Sequence, residues 1–228
     1  MRPPAKNIQK QVKEFSYRFL IVAGIFLLSL IIFILIADEF VLEKETSLDI
    51  IVFNTLSGIT GKSTTQVMLF ITFFGSPYFL LTAYILLVGY YLIFRKNTKL
   101  SLDVAAIGIT SSILLFSLKE FFHRLRPLDP IVKAVKGFSF PSGHSFSSFT
   151  FFGLLIYIVW QYRFSNLWKW ILTILFFLFA CLIAFSRVYL HVHYASDVVA
   201  GFFLSLTFLT SSLWILNRRK VGNGKRQR

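Results

Sequence analysis

His193 and Asp197 stand at the end of the string Ser186-Arg187-x5-His193-x3-Asp197. An i, i+4 spacing lets a carboxylate meet an imidazole on one helical face. An imidazole held in that way can attack or carry a proton near neutral pH. Upstream, Pro141-Ser142-Gly143-His144 opens an apolar run. It supplies a second imidazole, a hydroxyl donor and a glycine that lets backbone approach a ligand closely. The helix start it marks carries unpaired N–H groups and a partial positive charge, which favour an anion. Lys119 and Arg126 lie nearly two helical turns apart, so both cations project from one side if the helix runs that far. Pro127 then ends the element. With Arg187, these segments bring three cations, a helix start, two histidines and one carboxylate to one place. That set reads as a phosphate site with a nucleophile.

The elements that must position these groups are membrane spans. A mean hydropathy of +0.69, 56% hydrophobic residues and 28 Phe describe more apolar surface than a soluble chain of 228 residues can cover. Apolar stretches near the ~20 residues needed to cross a bilayer predict an all-α integral membrane protein. Six spans account for the pattern, at 18–37, 74–94, 100–121, 145–161, 168–186 and 194–216, as one domain without internal repeats. Basic tails at 1–17 and 217–228 flank it. The first apolar run is too long for a signal-peptide core and no small-x-small cleavage site follows it, so it reads as a retained span. Between the first two spans, residues 49–61 and 64–74 read as short interfacial helices or an early start to the second span, broken by Gly75-Ser76-Pro77. The single Cys181 reads as a small buried hydrophobe and excludes a disulfide framework.

Charge orients the spans. With both termini on one side, that side carries 16 basic residues against Glu14 and Asp103, which is the chain's entire net charge of +14. The other side is neutral. The positive-inside rule makes the basic face cytoplasmic and the candidate site extracytoplasmic. It also accounts for the pI of about 10.1 without nucleic acid. Lys119, Arg124, Arg126 and Arg187 then remain as cations at outer span ends, where bare charge is costly and usually functional.

Lys119-x6-Arg126-Pro127, Pro141-Ser142-Gly143-His144 and Ser186-Arg187-x5-His193-x3-Asp197 together resemble the three-part signature of the type 2 phosphatidic acid phosphatase superfamily. The resemblance extends in span layout over roughly residues 70–216. All three parts are intact, in order and at one membrane depth, which makes the signal specific. It implies metal-independent phosphoryl transfer from a membrane lipid through a phosphohistidine, with no cofactor. His193 would attack phosphorus, and Asp197 would hold the other ring nitrogen's proton. His144 would protonate the leaving group and then activate water. Lys119, Arg126, Arg187, Ser142 and the Gly143 N–H would cradle the phosphoryl oxygens. Pro127 and Pro141 would shape the loop ends, and Ser186 would orient a neighbour. The chain's length and compact tails lean toward a bacterial member, whose usual substrates are undecaprenyl diphosphate, phosphatidylglycerophosphate and phosphatidate. The loop around Lys133 and Lys136 and the stretch 38–73 are expected to select among them.

Other groups fall outside the signature. His123 and His191 read as interfacial or structural, Glu120 and Arg124 as a local ion pair or substrate contacts. Ser145, Ser147, Ser148 and Thr150 read mostly as helix contacts. Two alternatives stand beside hydrolysis: a lipid phosphotransferase on the same scaffold, and a non-enzymatic anion-binding membrane protein. A vanadate-dependent haloperoxidase shares the cage in kind but is a soluble protein.

Overall fold

The computed structural model describes residues 5–132 and 136–226, so residues 133–135, most of the expected selectivity loop, lie outside the described residues. So do the tail residues 1–4 and 227–228. Among the described residues all regular structure is helical. The order is α1 (Ala5–Ala37), α2 (Ser47–Ser57), α3 (Lys62–Phe73), α4 (Pro77–Gly89), α5 (Thr98–Phe122), α6 (Gly143–Gln161), α7 (Asn166–Tyr189) and α8 (Ala195–Arg226). Single π-helical turns prolong α1 through Asp38–Leu42 and α4 through Tyr90–Phe94. Six stretches are long and apolar enough to cross a membrane: Phe19–Leu42, Lys62–Phe94, Thr98–Phe122, Gly143–Gln161, Asn166–Tyr189 and Ala195–Asn217. The all-helical, six-span architecture expected from the sequence is the one observed.

The helix starts follow local chemistry. Ser76 caps α4 by accepting from Phe79 N at 3.3 Å, and Pro77 occupies the first helical position, where its missing N–H costs nothing. Asn97 caps α5 through Leu100 N at 3.1 Å, and Ser165 caps α7 through Trp168 N at 3.5 Å. The first loop resolves into α2 and α3, and α3 joins α4 at the Gly75-Ser76-Pro77 break.

α6 is the most deeply buried of the spans and packs on both α7 and α8, while α1 covers α8, α4 covers α5 and α3 covers α7. Its phenylalanines divide between two cores. Phe149, Phe151 and Phe152 meet Ala180, Ile183 and Ala184 of α7, and Phe146 meets Ala200 and Leu204 of α8 with Phe33 of α1. Small residues on the partner helices let these rings seat closely. Gly201 of α8 marks a close backbone approach: a Cβ there would stand 3.0 Å from Ser142 O and Ser145 Cβ. The missing side chain lets the start of α6 lie directly on α8. Around this centre Tyr78, Leu81, Ile85 and Leu86 of α4 are exposed, an apolar belt suited to lipid.

Candidate active site

The site lies at the end of the bundle where α5 and α7 finish and α6 and α8 begin. His193 sits in the turn between α7 and α8. Its N–H and that of Val192 both donate to Arg187 O, at 3.3 and 3.2 Å, which ties the turn to the last turn of α7. His191 takes a left-handed conformation there (φ 53°) and lays its ring on Phe53 at 4.5 Å, a structural role. The sequence placed His193 and Asp197 on one helical face. Instead α8 begins at Ala195, so only Asp197 is helical, in the first turn. The pair still meets, because the Asp197 carboxylate reaches back to accept from Tyr194 N at 3.0 Å, as a capping-box acid does. That places Asp197 Oδ2 3.4 Å from His193 Nδ1. A fully buried hydroxyl joins them: Ser139 Oγ donates to Asp197 Oδ2 and lies 3.3 Å from His193 Nδ1.

With Nδ1 engaged on that side, Nε2 is the nitrogen turned toward the cations. Arg126 Nη1 approaches it at 3.1 Å and also donates to Val192 O at 2.7 Å, while Arg126 Nε donates to Gly137 O at 2.9 Å. Gly137 has φ +85°, the left-handed backbone that lets the chain present this carbonyl. Lys119 and Arg126 do not share a helix face, as their spacing suggested. α5 stops at Phe122 because His123 turns left-handed (φ 51°) and its N–H closes on Lys119 O at 3.2 Å. Arg126 arrives from the irregular segment that follows. Lys119 Nζ donates to Phe138 O at 2.7 Å and Ser139 O at 3.3 Å, so it also pins the strand of loop that carries Ser139. Buried Arg187 donates from Nη1 to Thr72 Oγ1 at 2.7 Å, and its Nε has no partner among the described residues.

The Pro-Ser-Gly-His segment joins the same place through backbone. Ser142 N donates to Asp197 O at 3.0 Å, and its fully buried hydroxyl oxygen caps α6 by accepting from Ser145 N at 3.4 Å. His144 occupies the first turn of α6 against the glycine break: a Cβ on Gly75 would stand 3.1 Å from its Cδ2. Gly143 faces Lys119, whose Cε would lie 3.7 Å from a Cβ there. Pro141 is buried behind this turn and Pro127 is half-buried in the loop after α5. Ser186 does not orient a neighbouring side chain; its hydroxyl donates to Ile183 O one turn back, at 2.6 Å. Ser145 makes an interhelical contact, donating to Val198 O at 2.7 Å. The Ser148 and Thr150 hydroxyls are buried without a partner among the described residues.

Sequence reasoning missed a set of buried polar contacts. Arg124 Nη1 binds Asp197 Oδ1 at 2.6 Å and Ser196 Oγ at 2.7 Å, and Nη2 binds Asp49 Oδ2 at 3.0 Å. The guanidinium also stacks over Tyr194, 4.2 Å from the ring centroid. Arg124 is thus in an ion pair, but a long-range one with two carboxylates, and Glu120 is exposed. Asp49 and Ser139 carry no motif. The only signal pointing to Asp49 was a charge inside an otherwise apolar loop helix.

Burial sets the electrostatics. It drives His193 down to about 3, with Arg126 and Lys119 adding to the effect and Asp197 opposing it, so the ring is neutral at ordinary pH and its unprotonated Nε2 faces Arg126. Burial likewise lowers Arg126, against the pull of Asp197. Among the described residues no group of three or more His, Cys, Asp or Glu could hold a metal ion. A neutral imidazole oriented through Nδ1, facing three cations, can attack an electrophile whose departing charge those cations absorb.

The sequence profile of the PAP2 superfamily matches residues 98–220, a stretch that contains every candidate residue of the signature. Phosphatidylglycerophosphatase B of Bacillus subtilis (strain 168) is 36% identical over 143 residues, covering 62% of this chain and 70% of the relative. An undecaprenyl-diphosphatase of Sulfolobus acidocaldarius is 27% identical over 166 residues, covering 69% and 72%. The crystal structure of a transmembrane PAP2-type phosphatidylglycerolphosphate phosphatase from Bacillus subtilis superposes with a TM-score of 0.73 at 29% identity, over 84% of this chain and 94% of that one. Aquifex aeolicus LpxE, at 22% identity, shares the fold with a TM-score of 0.58 over 73% and 95%. With the bundle, the three motifs and more than half of the chain matched, the protein belongs to the PAP2 superfamily and is a phosphatase.

Proposed function

We propose that the protein hydrolyses a membrane lipid phosphate or diphosphate of the undecaprenyl diphosphate, phosphatidylglycerophosphate or phosphatidate class, without a metal, through a phosphohistidine on His193. The observation that carries this reading is the orientation of one imidazole: Nδ1 on Asp197 and Ser139, Nε2 toward Arg126 at 3.1 Å. A substrate phosphoryl group displaces Arg126 from Nε2, and the guanidinium turns its donors to the phosphoryl oxygens. The Nε2 lone pair forms the N–P bond as the P–O bond to the leaving group breaks, and His144 supplies the proton that the leaving oxygen needs. Asp197 stabilises the imidazolium formed at Nδ1. Lys119, Arg126 and Arg187, with the Gly143 N–H at the start of α6, take up the equatorial oxygens. His144, now neutral, accepts a proton from water as it attacks phosphorus. The N–P bond breaks, and inorganic phosphate leaves.

The site opens at the outer leaflet in the orientation favoured by the 16 basic residues on the opposite face, so both termini are cytoplasmic. The lipid tail stays in the bilayer while its phosphate reaches the cations. The test is a phosphate-release assay on the purified protein with a C55 diphosphate, phosphatidylglycerophosphate and phosphatidate in parallel. Activity on at least one is expected, resistant to EDTA, blocked by vanadate and abolished by His193→Ala with the fold intact. A strict divalent-cation requirement, or full activity of His193→Ala, refutes the mechanism.

A further inference from the structure

Asp49 lies on α2, far in sequence from the signature, yet its side chain is 1% exposed. A carboxylate buried in a membrane protein is expensive unless it is paired, and such groups are usually functional. Here both oxygens are engaged. Oδ1 accepts from Ser196 N at 2.9 Å, and Oδ2 accepts from Ser196 Oγ at 2.6 Å and Arg124 Nη2 at 3.0 Å. Every one of these partners leads to Asp197. Arg124 gives its other arm to Asp197 Oδ1, and Ser196 is the preceding residue of the same helix turn.

We propose that Asp49 is a positioning residue for phosphoryl transfer, acting through Arg124 and Ser196 on the carboxylate that holds His193; this rests on the phosphohistidine reading above. Two effects follow from the geometry. The Arg124 fork is fixed at both ends and from above by Tyr194, so Asp197 Oδ1 cannot swing, and Oδ2 stays directed at His193 Nδ1. The single positive charge of Arg124 is also divided between two carboxylates. Asp197 therefore keeps more of its negative field for the imidazolium that forms when Nε2 attacks. Without the Asp49 charge, Arg124 pairs with Asp197 alone and draws that field toward Oδ1. α2 does not depend on Asp49 to stay docked, because Phe53 packs on His191 at 4.5 Å and on Tyr194 at 5.8 Å.

Asp49→Asn tests this with phosphatidylglycerophosphate in detergent micelles, or with whichever lipid phosphate the wild type turns over fastest. A drop in kcat of about tenfold to a hundredfold is expected, the range of outer partners that orient a reacting group, with KM unchanged. The inhibition constant of vanadate should rise by the same factor while that of inorganic phosphate stays put. Vanadate needs a bond to a correctly aimed Nε2, whereas phosphate needs only the cations. Asp49→Glu should recover most of the loss. Unchanged kcat and vanadate inhibition overturn the proposal. So does an equal weakening of vanadate and phosphate with a lower melting temperature, which is what a purely structural role produces. Should Asp49→Asn fail to accumulate, Ser196→Ala keeps both charges and loosens the same link, and the same selective loss of vanadate affinity is required of it. His193→Ala runs in parallel. If it is inactive and Asp49→Asn behaves as wild type, only this inference falls; if it is active, the phosphohistidine reading falls and takes this inference with it.

Discussion

Replacing Ser139 with alanine isolates one hydroxyl at the centre of the site. The backbone around it is held independently: Ser139 N donates to Arg124 O at 2.7 Å, and Lys119 Nζ binds Phe138 O at 2.7 Å and Ser139 O at 3.3 Å. The loop therefore stays in place when Oγ is removed. Asp197 keeps Arg124 on Oδ1 at 2.6 Å, and Tyr194 N at 3.0 Å with His193 Nδ1 at 3.4 Å on Oδ2. What is lost is one buried hydrogen bond to a charged group, worth roughly 1.5–3 kcal/mol. If all of it is expressed in the transition state, at about 1.4 kcal/mol per tenfold, kcat falls by between about tenfold and about 150-fold. Asp197→Asn, which removes the charge itself, should cost far more, on the order of ten-thousandfold by analogy with the acid of a Ser-His-Asp triad. The assay is phosphate release from a lipid phosphate in detergent micelles, with the folded fraction checked by size exclusion. Wild-type kcat in Ser139→Ala would show that the hydroxyl does not constrain the pair. A loss as deep as that of Asp197→Asn would show that it does more than hold it.

Gly75→Ala should damage both stability and turnover, because its Cβ would stand 2.9 Å from Ser148 Oγ and 3.1 Å from His144 Cδ2 and press on Ile183 Cγ2. Overpacking of this kind costs about 1–3 kcal/mol, read as a lower melting temperature in detergent alongside a reduced kcat. Gly24→Ala, where nothing lies within 4 Å, should change neither, and equal behaviour of the two variants refutes the packing argument. Leu128→Cys in a Cys181→Ala background tests the orientation, since Leu128 is 93% exposed on the segment between α5 and α6. An impermeant maleimide should label it in intact cells, and labelling only after lysis inverts the topology.

Much of the architecture was legible because its causes are local or additive. Apolar length sets a span, and Ser76, Asn97, Ser142 and Ser165 cap the helices that follow them. The signature residues were legible for a related reason: each motif keeps its chemistry within a few residues. Where the reading went astray, it extended helical geometry past the point where the backbone leaves it. His123 ends α5 before Arg126, and the turn at His191 delays α8 until after His193. Both histidines adopt left-handed conformations that spacing arguments cannot anticipate.

By itself, then, the sequence determined the class of the molecule and the level at which its cations and histidines gather. The tertiary structure alone decided how the His193 imidazole is aimed. Asp49 reaches Ser196 across 147 residues, and Ser139 reaches Asp197 across 58. Neither link leaves a periodicity or motif, because it exists only when α2 and the loop before α6 dock on the start of α8. Burial then completes what spacing cannot. It keeps His193 neutral, fixes Asp197 from several sides and makes each hydrogen bond in that network costly to lose.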